Sequence, residues 1–212
     1  VEETGAGVVE LLDLGLDRVK VVAAVPEDVD ESVLFRRRLV VATEYEAIAR
    51  RFLGERGADY LLLRTHGASE AFPPEDADMI IDNTASGRTL KEHRLKIVAV
   101  ILESSTRFIA NPAALEDAGK REKIEELAML FSAVLNARER VMLEMNVPED
   151  KLEAIVPLLP CMRSPTVSPL YGEAGFAVKA AVKREAAARL IPLLKKMGAT
   201  DILEYSFRKV VI

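Results

Sequence analysis

The alternation of apolar and capped segments over residues 19–137 restricts the fold more than any other feature of the sequence. Val19–Val25 and Tyr60–Leu63 are runs of β-branched and apolar residues, which are typical of buried strands. Thr43–Glu46 has the pattern of a capping box, so Thr43 is expected to begin a helix. Strands that alternate with helices in this way predict an α/β fold with a parallel sheet and helices on both faces.

The segment 120–137 is predicted to be an amphipathic helix whose apolar side belongs to the core. Its apolar side chains recur at helical spacing, and they are Ile124, Leu127, Ala128, Phe131, Val134 and Leu135.

From Arg138 onward the order of elements changes, and we place a domain boundary there. The pattern predicts strands at 141–147, 176–182 and 202–211, helices at 148–159 and 183–197, and a proline-rich extended piece within 160–169. Strand, helix, strand, strand, helix, strand is the ferredoxin-like order, βαββαβ.

The stretch Ala77–Arg94 predicts a strand that ends at Asp82, a loop of small and polar residues, and a helix that begins near Thr89. Such a loop lets backbone N–H groups approach an anion, and the helix N-terminus adds partial positive charge. Ser86 and Thr89 are candidate caps, and their hydroxyls can donate to phosphate oxygens, as can Arg88. An ordinary strand–helix connection with a serine cap is the alternative interpretation of the same residues.

Composition excludes several classes of protein. The chain has 212 residues and a net charge of −5, and the basic run at 36–38 is too short to predict a nucleic-acid surface. Its single cysteine excludes a disulfide framework and fits a reducing compartment, so we expect a cytoplasmic protein. Its two histidines give no metal-binding pattern, and the sequence contains neither an apolar run of membrane-spanning length nor a signal peptide.

The pattern from Asp82 to Thr89 resembles the phosphoribosyl-pyrophosphate (PRPP) loop of phosphoribosyltransferases. Further motifs occur in the order found in the long form of ATP phosphoribosyltransferase, the first enzyme of histidine biosynthesis, and together the resemblance covers essentially the whole chain. These motifs are Glu10–Gly15, Val21–Pro26, Val41–Tyr45, Asp78–Leu90, Ile101–Pro112, Met145–Pro148 and Ser164–Leu170. Two departures from the family pattern are Asn83, where an aliphatic residue is usual, and Glu75–Asp76, which replace a glycine-containing turn.

The resemblance implies a catalytic part with two periplasmic-binding-protein-like lobes and a ferredoxin-like regulatory domain. Residues 1–25 and 107–137 would form the first lobe, 26–106 the second lobe with the PRPP loop, and 138–212 the regulatory domain. The chain starts within the family's first lobe, so that lobe would be incomplete. We therefore expect the 212 residues alone to be inactive.

The resemblance also implies a reaction and its ligands. The family joins N1 of the ATP adenine to C1 of PRPP and releases pyrophosphate with Mg²⁺, under feedback inhibition by histidine, with AMP as a further candidate ligand. It forms dimers and hexamers, so a homo-oligomer is expected, and neither a nucleic acid nor a membrane is an expected partner. The PRPP-binding residues would be Asp82, Asn83, Thr84, Ala85, Ser86, Gly87, Arg88 and Thr89.

Other positions follow from the matching motifs. Glu103 and Ser104 are either substrate contacts or hinge residues. No residue is assigned as a catalytic base or nucleophile, and none as a metal ligand. The histidine pocket would include Asn146, Met162, Ser164, Thr166, Ala181 and Asp201.

Two alternative functions stay open at the level of sequence. The first is a type I phosphoribosyltransferase acting on a free base, whose loop follows the same pattern but usually begins with two adjacent acids, where this chain has Asp82 and Asn83. The second is a non-catalytic ligand-binding or regulatory protein on the same scaffold.

Overall fold

The computed structural model describes residues 1–172 and 174–212, and these divide into two compact units, 1–118 and 119–212. None of the helices in the described part of the chain has the length and hydrophobicity needed to cross a membrane. Each unit has its own hydrophobic core. The predicted assignment of residues to two lobes and a regulatory domain stays a prediction.

Seven strands and three short helices make up the first unit. The strands are β1 (Val9–Asp13), β2 (Val19–Pro26), β3 (Leu39–Thr43), β4 (Tyr60–Arg64), β5 (Met79–Thr84), β6 (Leu95–Ser104) and β7 (Arg107–Ala110). The helices are α1 (Glu46–Gly54), α2 (Arg88–Glu92) and α3 (Pro112–Glu116). Five strands form one sheet in the order β4–β3–β5–β2–β6, and β1 pairs with β7 separately.

The five-stranded sheet is mixed, so the prediction of a parallel sheet was wrong. β3 is parallel to β4 and β5, whereas β2 is antiparallel to both β5 and β6. The apolar pattern of a strand buried on both faces is the same in either direction. Strand direction depends instead on the connections between strands. The connection from β5 to β6 contains the five-residue helix α2, and it places β6 beside β2.

The residues of β2 alternate between two apolar layers, one on each face of the sheet. Val21, Ala23 and Val25 pack in the layer that contains Phe52 of α1. Val22 and Ala24 pack in the opposite layer, which includes a leucine of α2. The sheet is therefore covered by helices on both faces, as predicted, and this double burial explains the continuous apolar run.

Helix α1 begins at Glu46, so the predicted capping box at Thr43 was wrong. Thr43 is the last residue of β3 and is fully buried, and its hydroxyl donates to the Ile81 carbonyl at 2.6 Å. The hydroxyl proton is therefore used by the sheet, and the hydroxyl oxygen accepts from the Tyr45 N–H at 2.9 Å, one residue before the helix begins. The Glu3 carboxylate instead accepts from the N–H groups of Ala47 and Ile48, at 3.0 and 3.1 Å.

Replacement of Glu3 by alanine should lower the free energy of unfolding by about 1 kcal/mol, because two N–H groups in the first turn of α1 lose their acceptor. Urea denaturation followed by circular dichroism measures this change. The matched control is Glu2→Ala, since Glu2 only pairs with the exposed Arg51 and its loss should cost less than about 0.5 kcal/mol. Equal effects of the two substitutions would contradict the cap.

The second unit is an antiparallel sheet with helices. Its elements are α4 (Ala118–Arg138), β8 (Arg140–Val147), α5 (Leu152–Ile155), β9 (Thr166–Pro169), β10 (Phe176–Lys183), α6 (Arg184–Lys196) and β11 (Thr200–Ser206). The sheet order is β11–β8–β10–β9, with every neighbouring pair antiparallel. From β8 onward, the order strand, helix, strand, strand, helix, strand agrees with the sequence pattern.

Three details of this unit differ from the predictions. The helix expected at 148–159 is one turn, α5, between two 3-10 turns. Pro148 is the N-cap of the first of these turns, and Pro157, in the second, has no N–H to continue the helical hydrogen bonding. The last strand ends at Ser206, before 211. The apolar stripe of α4 is not core: Leu127 and Phe131 are exposed, and in this helix only Ala133 and Ala137 are buried.

Candidate functional site

Strand β5 extends through Thr84, two residues beyond its predicted end, so Asp82 lies within the strand rather than at its end. The Asp82 carboxylate is partly buried, and this burial raises its pKa above the ordinary value. Hydrogen bonds from Ser69 and from the Asn83 N–H, the latter at 2.6 Å, oppose the rise. Asp82 is therefore a fixed carboxylate at the start of the loop.

A tight turn follows β5. The Thr84 hydroxyl accepts from the Gly87 N–H at 2.9 Å, and Ser86 Oγ accepts from the Arg88 N–H at 3.4 Å. Gly87 is the N-cap of α2 and has a φ of +73°, in the left-handed region that favours glycine. The prediction that Ser86 or Thr89 is the N-cap was therefore wrong, because this position is taken by Gly87, which has no side chain.

Six of the eight predicted loop residues line one cavity of about 390 Å³, and they are Asp82, Asn83, Thr84, Ala85, Ser86 and Thr89. The other two differ. Gly87 is buried and does not line the cavity, although a Cβ added to it would meet no atom within 4 Å. The Arg88 side chain is exposed and pairs with Glu92 at 2.8 Å, so it would have to leave this partner to reach a ligand.

Sequence reasoning missed several groups around this cavity. Glu44 and Glu70 line it, and the Asn83 amide donates to the Tyr45 hydroxyl at 2.6 Å. Thr65 and Ser69 form a buried hydroxyl pair behind Asp82. Their position after β3 and β4 in the sequence could have predicted these residues, because the carboxyl ends of neighbouring parallel strands meet at one edge of a sheet.

Glu103 and Ser104 line a second cavity of about 450 Å³, which also includes Ala85 of the loop. Lys20 pairs with Glu103 at 3.3 Å. Nearby, a hydrogen bond from Ser105 at 2.7 Å lowers the pKa of Asp13, with further help from the Gly15 N–H and Arg107. This geometry fits either a substrate contact or a hinge for Glu103 and Ser104.

The six predicted histidine-site residues lie in the second unit, where four of them form two hydrogen-bonded groups. The Asn146 amide donates to the Asp201 carboxylate at 3.0 Å, and the Met162 N–H donates to the Ala181 carbonyl at 3.1 Å. Asn146 is paired with Ala177, so Ala181 lies four residues further along β10, about 13 Å away. Ser164 lies just before the edge strand β9 and Thr166 lies on it, and both side chains are exposed.

No three His, Cys, Asp or Glu side chains are grouped to hold a metal ion anywhere in 1–172 or 174–212.

Comparisons with known proteins match both parts of the chain. The family described as "ATP phosphoribosyltransferase" matches residues 1–133, and the family described as "HisG, C-terminal domain" matches residues 137–209. A crystallised "ATP phosphoribosyl transferase (HisG:HisZ) complex from Thermotoga maritima" has a similar fold, with a TM-score of 0.52 at 23% identity, covering 59% of this chain and 64% of that one.

Curated relatives extend the match to nearly the whole chain. An ATP phosphoribosyltransferase of Chlorobium phaeovibrioides is 40% identical over 99% of this chain and 73% of its own length. One from Desulforudis audaxviator is 38% identical over 100% of this chain and 75% of its own length. The chain therefore belongs to the ATP phosphoribosyltransferase family, in the long form that carries the C-terminal domain.

Proposed function

We propose that the chain binds PRPP through the loop Asp82–Thr89, for transfer of the phosphoribosyl group to N1 of the ATP adenine. One observation carries the assignment: six of the loop residues line one cavity, and three of them, Thr84, Ser86 and Thr89, bring hydroxyls to it. The 5′-phosphate would take hydrogen bonds from the Thr89 and Ser86 hydroxyls and from loop N–H groups. Helix α2 has only five residues, so its dipole contributes little and the local donors do most of the binding.

The reaction requires the protein to position the substrates and to stabilise the charges that develop on them. Cleavage of the C1–O bond develops positive charge on the ribose and negative charge on pyrophosphate. Asp82 would accept hydrogen bonds from ribose hydroxyls and hold the sugar in place. Mg²⁺ would be carried by pyrophosphate and would neutralise its charge.

The two-lobed arrangement is part of the proposal. The pair β1–β7 is a sheet separate from the five-stranded sheet, and two crossing segments connect them. These segments are joined by hydrogen bonds from the Leu14 N–H to the Thr106 carbonyl at 3.0 Å and from the Thr106 N–H to the Leu16 carbonyl at 2.9 Å. Glu103 and Ser104 lie beside this crossing, so we assign them to the hinge or to a substrate that lies against it.

We further propose that the C-terminal domain is ferredoxin-like and binds free histidine as an inhibitor. Its element order and the antiparallel order β11–β8–β10–β9 support the fold. The Asp201 carboxylate can meet the histidine ammonium, and the Thr166 hydroxyl can meet its carboxylate. The two groups of predicted residues are about 13 Å apart along β10, which supports a pocket completed by a second subunit in a homo-oligomer.

Replacement of Thr89 by alanine tests the PRPP site. The variant loses one donor to a charged phosphate, so its affinity for PRPP should fall by about tenfold or more. Isothermal calorimetry of PRPP binding to the 212-residue chain measures this, with Thr4→Ala as the control because Thr4 only bonds to the Val1 carbonyl. An unchanged affinity in Thr89→Ala would remove this hydroxyl from the site.

A further inference from the structure

Hydrogen bonds join the carboxyl ends of β3 and β5 beside the loop. Thr43 ends β3, and its buried hydroxyl donates to the Ile81 carbonyl of β5 at 2.6 Å. The same hydroxyl oxygen accepts from the N–H of Tyr45, the N-cap of α1, at 2.9 Å. The start of α1 is therefore linked through Thr43 to the strand that leads into the loop.

The Tyr45 side chain extends this link with an anchored ring and a polar end. Its ring packs against the apolar layer that contains Phe52 and Ile81. Its hydroxyl accepts from the Asn83 side-chain amide at 2.6 Å, which is short for an N–H donor. The core therefore holds the ring, and the ring determines where the hydroxyl meets Asn83.

Asn83 connects Tyr45 to Asp82. The Asn83 backbone N–H donates to Oδ1 of Asp82 at 2.6 Å, and the Asn83 side-chain amide donates to the same oxygen at 3.4 Å. A side-chain amide has two hydrogens, so it can donate to the Tyr45 hydroxyl and to Asp82 together. The three side chains form one hydrogen-bonded series, Tyr45–Asn83–Asp82, where β5 leads into the loop.

The position of Asn83 in the sheet explains why it needs a partner. Successive side chains of a strand point to opposite faces, so Asn83 leaves β5 on the face opposite to Asp82. Asn83 is exposed, and an exposed side chain without a partner samples several rotamers. The Tyr45 hydroxyl selects the rotamer in which the amide also reaches Asp82.

We infer that Tyr45, acting through Asn83, is a positioning residue that holds the Asp82 carboxyl group for the ribose hydroxyls of PRPP. The inference rests on the proposed PRPP site. Both hydrogen bonds from Asn83 go to Oδ1 of Asp82, so they restrict rotation of the carboxyl group about its Cβ–Cγ bond. A group that is already oriented loses less conformational entropy when a ligand binds.

The first experiment needs no ligand and records the ¹H–¹⁵N signals of the Asn83 side-chain amide in the 212-residue chain by nuclear magnetic resonance. Tyr45→Phe removes the hydroxyl and keeps the ring in the core, so the chain should stay folded and the Asn83 amide signals should shift. Tyr60→Phe is the matched control, because Tyr60 packs against the same apolar layer from β4 and should leave these signals unchanged. Unchanged Asn83 signals in Tyr45→Phe would overturn the inference.

The second experiment compares, by calorimetry, the binding of PRPP with the binding of inorganic phosphate, which has no ribose. Tyr45→Phe should weaken PRPP binding by about fivefold, as expected for the loss of one hydrogen bond, and should leave phosphate binding unchanged. Tyr60→Phe should change neither. In a chain that already carries Asn83→Ala, Tyr45→Phe should cause no further loss, because the two side chains act in one series.

Three other outcomes would count against the inference. Equal losses of PRPP and phosphate affinity in Tyr45→Phe would show that the hydroxyl only supports the loop, which overturns the ribose role. Loss of PRPP affinity in Asp82→Ala with none in Tyr45→Phe would overturn the positioning role and leave the proposed PRPP site intact. Full PRPP affinity in Asp82→Ala would instead reject the proposed ribose contact itself, and the positioning role with it.

Discussion

The Gly87→Val variant should bind PRPP about 100-fold more weakly than the parent chain. Two effects act in the same direction. Gly87 has a φ of +73°, which a β-branched residue adopts only with strain, so the turn that presents the loop N–H groups would change. A Cβ at this position would meet no atom of the chain within 4 Å, so the valine side chain would add bulk to the loop that is proposed to hold the phosphate.

Gly57→Val is the matched control, because Gly57 has a φ of +61° and also has no atom within 4 Å of a built Cβ. It lies in the turn between α1 and β4, away from the loop. Both variants should lose similar stability in thermal unfolding, whereas only Gly87→Val should lose PRPP affinity in calorimetry. Equal losses of affinity in the two variants would show that strain alone, rather than the position in the loop, explains the result.

The sequence was most informative where a local pattern decides the structure. The strand at 79–81, the small-residue loop and the following helix are all present, because β-branched residues and a glycine with a positive φ have few other conformations. The C-terminal order of elements is also as predicted. Gly198, with a φ of +105°, follows the end of α6, where glycine commonly ends a helix. The family assignment follows the same motifs, and it decides against a phosphoribosyltransferase for free bases.

Non-local information was what the sequence lacked. The direction of β2 depends on its neighbours β5 and β6, which are far away along the chain. The sequence predicts Thr43 to be a helix cap, yet its hydroxyl donates to the Ile81 carbonyl, 38 residues away. Likewise, Ser69 and Thr65 had no pattern of their own, and only the parallel arrangement of β3, β4 and β5 places them behind Asp82.

The Gly175→Val variant should lose histidine binding almost completely while it keeps PRPP binding. A Cβ at Gly175 would lie 2.9 Å from the Val147 carbonyl oxygen, and the φ of +132° is unfavourable for any residue with a side chain. The clash is with backbone, which cannot move easily because Val147 pairs with Phe176 and is buried in the core. The expected loss of stability in the C-terminal domain is about 3 kcal/mol or more.

Hydrogen exchange and calorimetry together test this prediction. Exchange should accelerate in β8 and β10 of Gly175→Val and stay slow in the five-stranded sheet, because the two units have separate cores. Gly172→Val is the control: its φ is +75°, but a Cβ there would meet no atom within 4 Å, so only backbone strain remains and histidine affinity should be largely kept. Unchanged histidine binding by a Gly175→Val chain with rapid exchange in β8 would place the effector site outside residues 138–212, whereas parallel loss of PRPP binding would show that the units do not act independently.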